Sequence, residues 1–131
     1  MLLTNWVDEI STELHNAVLD APQLRAPVLA LYESIALHFP EERRAMTLAK
    51  ADIADMSGAV DEAIALYEPL LALDPYDIDA ADGLAFALAG TERQPGPDPR
   101  RALELLLSFR DHTMAAEYDL DARIQYLRHG H

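Results

Sequence analysis

The sequence predicts an all-α protein of about seven helices arranged in antiparallel pairs. Apolar residues recur at helical spacing along most of the chain, and no stretch shows the strict alternation that is typical of a half-buried strand. Proline and glycine divide the chain into segments of helix length. Tyr32, flanked by Leu and Glu, recurs as Tyr67, and Pro40 recurs as Pro75, both 35 positions later. A repeat of this length predicts helix pairs that stack on one another.

Composition narrows the classes of function. The chain has 131 residues, with 10 Lys and Arg against 23 Asp and Glu, which gives a net charge of −13. Because so acidic a surface repels nucleic acid and anionic membranes, neither is expected as a partner. There is no cysteine, which excludes disulfides and thiolate catalysis. No signal peptide and no long apolar span is recognisable, so a cytoplasmic protein is expected.

The first helix pair is predicted between residues 4 and 38. Thr4 or Asn5 can cap the first helix, and the second runs from about Gln23 to His38 with Pro27 in its first turn. The predicted apolar faces are Trp6, Ile10, Leu14, Ala17 and Val18 in the first helix, and Val28, Leu31, Tyr32, Ile35 and Ala36 in the second.

The second pair is predicted between residues 41 and 73. Its two helices meet at Gly58, and Asp61 and Glu62 stand in the first turn of the later helix, where the helix dipole favours negative charge. The later helix is predicted to end before Pro75, because proline does not continue a helix. The predicted apolar faces are Met46, Ala49, Ile53 and Met56, then Val60, Ala63, Ile64, Tyr67, Leu70 and Leu71.

The third pair is predicted between residues 77 and 112, and a last helix between about 114 and 128. Asp77 or Asp79 starts the fifth helix, Gly90 ends it, and the proline-rich segment 94–99 forms a loop. The sixth helix is predicted from Arg100 to about His112. The predicted apolar faces are Ala81, Leu84, Ala85 and Leu88; Ala102, Leu105, Leu106 and Phe109; and Tyr118, Leu120, Ile124 and Leu127.

The segment from Gly58 to Tyr76, with its Asp-Glu-Ala-Ile and Leu-Asp-Pro, resembles the second helix of a tetratricopeptide repeat, in the form of a small bacterial-type protein. Ala63 and Ala102 match the small residue at which helices of this family cross. The chain departs from the pattern at Lys50, where the family has a core leucine. The resemblance covers about residues 8 to 128. It implies a short right-handed superhelix of three helix pairs with a C-terminal capping helix.

The resemblance also implies a binding groove, because the first helix of each pair lines the concave side in this family. Six residues would face that groove: Asp52, Asp55, Met56, Asp79, Asp82 and Phe86. Four carboxylates beside Met and Phe suit a basic or amphipathic peptide, held by charge and anchored by burial. The alternative is a solvated acidic face that keeps a helical protein soluble. The implied role is that of a non-catalytic adaptor.

No metal, cofactor or catalytic set is predicted. The carboxylates of Asp77, Asp79 and Asp82 superficially match a calcium loop, but the third is one residue late and Leu88 stands where a bidentate glutamate is needed. Asp77 and Asp79 are better interpreted as helix-start residues. None of the five histidines has a partner at a catalytic or metal-binding spacing.

Two other functions remain open at this stage. One is a small cytoplasmic secretion chaperone that masks an aggregation-prone client, since several such chaperones are acidic and built from about three repeats of this kind. The other is a structural subunit whose groove is filled by its own terminus or by a second copy, as in a homodimer. An enzyme is the least expected of all.

Overall fold

Seven α-helices follow one another along the part of the chain that the structure describes. The computed structural model describes residues 3–91, 94–112, 115 and 118–129, with residues 3–8, 11 and 129 described by their backbone only. No strand occurs in these ranges. The helices are α1 (Leu3–Asp20), α2 (Arg25–His38), α3 (Arg43–Met56), α4 (Val60–Leu73), α5 (Ile78–Ala89), α6 (Pro99–Ser108) and α7 (Leu120–His129).

The starts of α2 and α3 lie two residues later than predicted. A single 3-10 turn precedes each helix, Pro22–Leu24 before α2 and Pro40–Glu42 before α3. Both turns begin with proline, whose fixed φ and missing N–H suit the first position of a helical segment. The proline therefore starts a tight turn, and the α-helix begins only after it.

The boundaries around α6 and α7 differ more from the prediction. The N–H of Phe109 bonds to the carbonyl of Leu106 at 3.2 Å, which is the spacing of a 3-10 turn, so α6 ends at Ser108 rather than near His112. The last helix begins at Leu120 rather than near residue 114. Asp119, just before it, has φ +52°, a left-handed conformation that does not belong to an α-helix. Residues 113, 114, 116 and 117 of the predicted helix lie outside the described residues.

The packing is that of a helical repeat. Each helix packs against the next along the chain, and α1 also contacts α3, as α3 contacts α5. α1, α3 and α5 thus form one layer, and the chain returns between them through α2 and α4. Such an arrangement buries the apolar face of each helix pair against its neighbours in the stack.

α3 is shared by two hydrophobic clusters. Met46, Ala49 and Ile53, at helical spacing, face the cluster with α1 and α2 that contains Val18, Val28, Tyr32 and Ile35. Ala51 and Ala54 lie on another side of the same helix and face the larger cluster formed with α4, α5, α6 and α7. One helix therefore joins the first pair to the rest of the core.

Most of the predicted apolar faces lie in the core. Every residue predicted to be apolar in α4, α5 and α6 is buried or half-buried. Leu31 is the clear error, since 39% of it is exposed, whereas its neighbour Tyr32 is fully buried. Tyr118, predicted within the last helix, precedes α7. The side chain of Trp6 lies outside the described residues.

The two tyrosines of the repeat occupy corresponding positions. Tyr32 on α2 and Tyr67 on α4 are both completely buried. The hydroxyl oxygen of Tyr32 lies 3.3 Å from Nδ1 of His15 on α1, and the hydroxyl of Tyr67 donates to Asp52 on α3. Each tyrosine therefore crosses the core of its own helix pair and reaches the preceding odd-numbered helix.

Lys50 takes the place of a core leucine without leaving a buried charge. Its ammonium nitrogen lies 3.2 Å from a carboxylate oxygen of Glu33 on α2, and about a quarter of its side chain is exposed. The alkyl stem can lie along the core while the charged end reaches the surface.

We expect Gly83→Ala to destabilise the protein, because the ring of Tyr67 lies directly against Gly83. A Cβ atom at this position would come within 3.0 Å of three atoms of the tyrosine side chain. Overpacking of this kind costs about 1–3 kcal/mol, more than the ~1 kcal/mol that alanine gains over glycine inside a helix. Urea unfolding gives the difference. The double variant Tyr67→Leu/Gly83→Ala should show that alanine is tolerated once the ring is gone, and a Gly83→Ala protein as stable as the wild type would contradict the prediction.

We expect Pro69→Ala to stabilise the protein. Pro69 is exposed inside α4, where it supplies no N–H for the carbonyl of Ala65. An interior proline costs about 3 kcal/mol relative to alanine, so the free energy of unfolding should rise by about 1–3 kcal/mol in urea titrations. Pro40→Ala is the control, since Pro40 opens its turn and should give no such gain. Equal effects of the two substitutions would show that the position of Pro69 inside α4 is not the cause of the gain.

Candidate functional site

Three of the four predicted groove carboxylates lie near the hydroxyl of Tyr67. The buried ring of Tyr67 runs from α4 to the face shared by α3 and α5, where the hydroxyl donates to Asp52. Burial raises the pKa of Tyr67, and the negative charges of Asp52, Asp55 and Asp82 raise it further. The hydroxyl therefore stays protonated and serves as a fixed hydrogen-bond donor on this face.

Arg44 connects α3 to the start of α5. Its Nε and Nη2 atoms donate to the two carboxylate oxygens of Asp77 at 2.8 and 2.6 Å, and Nη2 also donates to Asp79 at 2.8 Å. Of the two residues predicted to start α5, Asp77 is the N-cap, and its side chain accepts the N–H of Ala80 at 3.2 Å. Burial alone would raise the pKa of Asp77, but the hydrogen bonds from Arg44 and Ala80 lower it below the usual range.

The C-terminal segment contacts three of the six predicted groove residues. The hydroxyl of Tyr118 donates to Asp79, and Arg123 on α7 forms an ion pair with Asp82. The guanidinium carbon of Arg123 also lies 3.9 Å from the centre of the Phe86 ring, a cation–π contact. On the α5 side, the predicted groove is therefore partly covered by the chain itself.

The two predicted groove carboxylates on α3, Asp52 and Asp55, form no ion pair in the part of the chain that the structure describes. Burial raises the pKa of Asp55, and the charge of Asp52 raises it further. The carboxylate of Asp52 is closely surrounded although the residue itself reaches solvent, and this burial raises its pKa more than the Tyr67 hydrogen bond lowers it. The positive charge of His15 lowers the pKa of Asp52 in part, whereas no cation in the described residues lowers that of Asp55.

Two cavities flank Phe86. The first, of about 480 Å³, lies between α5, α6 and α7 and is lined by Ala85, Phe86, Ala89, Leu106, Ala122 and Tyr126, among others. The second, of about 540 Å³, lies between the end of α3, the start of α4 and the loop after α5, and its lining includes Asp55, Met56, Val60, Phe86, Pro95 and Pro97. Phe86 is 52% exposed and forms the ridge between them. Both volumes are in the range of ordinary binding pockets.

The six residues that the sequence placed in a groove therefore lie on one face of α3 and α5. Asp52 and Asp55 come near Asp82 around Tyr67, while Met56 and Phe86 line the second cavity. Whether this face binds a partner stays a prediction. In the described part of the chain, no group of three or more histidine or acidic side chains could hold a metal ion. No helix there is both long enough and apolar enough to span a bilayer.

Sequence reasoning missed the residues that complete the face from elsewhere. Arg44, Arg123 and Gly83 were not singled out, and Tyr118 was expected only to pack in the core. The charge balance predicts only that most arginines will pair with a carboxylate, because Asp and Glu far outnumber Lys and Arg in this chain. The choice of partner depends on contacts 33 to 41 residues apart, which no local pattern encodes.

Comparisons of the chain with protein-family models, with curated protein sequences and with solved structures gave no match. Its functional interpretation therefore depends on its own residues and geometry.

We expect Asp55→Asn to stabilise the protein at neutral pH and Asp77→Asn to destabilise it. The pKa of Asp55 is raised, so the native state holds this proton more tightly than the unfolded chain, and its contribution to stability falls as pH rises through the native pKa. The pKa of Asp77 is lowered, so its contribution is present at neutral pH and is lost as pH falls through the native pKa.

Urea unfolding of both variants between pH 3 and pH 7, a window that spans the usual Asp pKa of about 4, tests these signs. Asp77→Asn keeps a capping side chain but weakens the charged pair with Arg44, so we expect a loss of about 1–2 kcal/mol at pH 7. At the acid end of the range, the free energy of unfolding of each variant should come closer to that of the wild type. If both variants shifted the free energy of unfolding in the same direction at pH 7, the opposite pKa shifts assigned to Asp55 and Asp77 would be wrong.

Proposed function

We propose that this chain is a non-catalytic protein-interaction module of the tetratricopeptide type, which holds a basic or amphipathic segment of a partner against the face of α3 and α5. The observation that carries the proposal is that Asp52 and Asp55 form no ion pair in the described residues, while Asp55 lines an apolar cavity together with the half-buried Met56 and the exposed Phe86. Negative charge beside accessible apolar surface is the combination that recognises a cationic, amphipathic peptide.

The repeat packing supports this proposal. The helices α1, α3 and α5 form one layer, and α3 and α5, which contact each other directly, carry the candidate residues. The tyrosines 35 positions apart occupy corresponding places in successive helix pairs. A layer of this kind presents one continuous surface, and repeat proteins use such surfaces for extended partners.

The contacts of Tyr118 and Arg123 refine the proposed site. Because they occupy Asp79 and Asp82, a partner would engage mainly Asp52, Asp55, Met56 and Phe86. The same contacts favour a second candidate function, a structural subunit whose groove is filled in part by its own C-terminal segment. A chaperone for a secreted client would use the same open face and would differ only in what it binds.

The test is a comparison of charge variants against a partner captured from the native cell and identified by mass spectrometry. Asp52→Asn/Asp55→Asn should weaken binding of the purified partner by about tenfold, since buried or half-buried charge pairs at interfaces are worth about 1.5 kcal/mol or more. Binding should also weaken as salt rises. Asp20→Asn/Asp111→Asn is the matched control, because both residues are exposed on other surfaces and the net charge changes equally.

Equal affinity of both double variants, with no dependence on salt, would rule out this face as the binding site. Light scattering at several concentrations distinguishes the structural alternative from an adaptor. A homodimer that uses the face of α3 and α5 would dissociate on dilution, and Asp52→Asn/Asp55→Asn would change its dissociation.

A further inference from the structure

We propose that the two cavities beside Phe86, together called the Phe86 cleft, take a basic amphipathic helix of the partner, with apolar side chains in both cavities. This inference rests on the proposed function and names the chemistry of the partner. The first cavity is lined on one side by Ala89 and Ala122, and the second by Val60 and Pro97, so both offer apolar walls to a bulky side chain.

The wall of the second cavity is built by backbone hydrogen bonds. Gly90, with φ +68°, turns the chain out of α5, and the loop then folds back onto the end of the helix. The N–H of Gly96 donates to the carbonyl of Ala89 at 2.9 Å, and the N–H of Asp98 donates to Leu88 at 3.0 Å. The prolines of the loop are thus held in place before any partner arrives, which lowers the ordering cost of binding.

The rim of the cleft carries negative charge without an ion-pair partner. Asp55 and Asp61 line the second cavity, and Asp119 lines the first. No cation in the described residues pairs with any of these three. The net charge of −13 adds a long-range attraction for a basic partner.

The contact of Arg123 indicates that a cation can bind against the ring of Phe86. Its guanidinium lies over the ring of Phe86 and pairs with Asp82, so a cation already fits between a carboxylate and this aromatic face. The ring remains half exposed, and Asp55 lines the second cavity together with it. A lysine or arginine from a partner would meet the same kind of surroundings there.

The arrangement favours a helix over a small molecule. The two cavities meet at Phe86 and Gly90, and the charged rim is spread over the end of α3, the start of α4 and the residue before α7. An amphipathic helix presents apolar anchors three, four and seven positions apart with charged residues beside them, which matches two adjoining apolar cavities and an acidic rim.

The test uses the full chain and a fluorescent helical peptide made of Leu and Lys with one apolar face, followed by anisotropy. Ala122→Phe fills the first cavity, Thr91→Phe narrows the second, and Ala72→Phe adds the same group at an exposed position outside the cleft. We expect the first two to weaken peptide binding about tenfold or more, as the loss of a central apolar anchor does, and Ala72→Phe to leave it unchanged. A counterpart with Glu in place of Lys should not bind.

Equal binding to all three phenylalanine variants would overturn the proposal, as would equal binding of the Glu peptide. If Asp52→Asn/Asp55→Asn then still weakened the captured partner, the proposed function would stand and only the cleft would be wrong. If Ala122→Phe abolished binding of a small apolar dye while the Leu and Lys peptide bound no better than the Glu peptide, the first cavity would be a small-molecule site and the proposal would fail.

Discussion

The contact between Tyr67 and Gly83 holds the middle of this protein together. The buried ring extends from α4, lies against the backbone of α5 at Gly83, and reaches α3 through its hydroxyl bond to Asp52. One side chain therefore fixes the relative positions of three helices. Because a larger residue at position 83 would push α5 away from α4, the closeness of these helices depends on a missing side chain as much as on the tyrosine itself.

The same contact creates the candidate site. With α3 and α5 held on either side of the Tyr67 hydroxyl, carboxylates from both helices come close together and partly lose their water. Arg44 and Arg123 pair with Asp79 and Asp82, whereas Asp52 is compensated only by the charge of His15 and Asp55 by no cation in the described residues. The least compensated of these carboxylates, Asp55, therefore lies at the wall of the second cavity. This asymmetry is the physical basis of the proposed interaction with a basic partner.

Other cations hold the helix pairs to one another on the outer side. Arg25 on α2 reaches Glu62 on α4 at 2.7 Å, and Arg101 on α6 reaches Glu68 on the same helix at 2.5 Å. Each pair is largely solvent-exposed and contributes at most about 1 kcal/mol, so burial in the two hydrophobic clusters remains the main source of stability. Each pair joins residues more than 30 positions apart and so connects successive even-numbered helices.

The sequence by itself determined the number of helices, their order and most of their buried faces, because apolar periodicity and the prolines and glycines that interrupt it are local signals. It also predicted that Asp77 or Asp79 starts α5, and the resemblance implied six candidate residues on α3 and α5. Only the tertiary structure decided that Tyr118 and Arg123 return to cover Asp79 and Asp82, that Gly83 makes room for Tyr67, and that Leu31 faces solvent. These outcomes depend on which distant side chains meet, and that is fixed by the packing of whole helices rather than by any stretch of the chain.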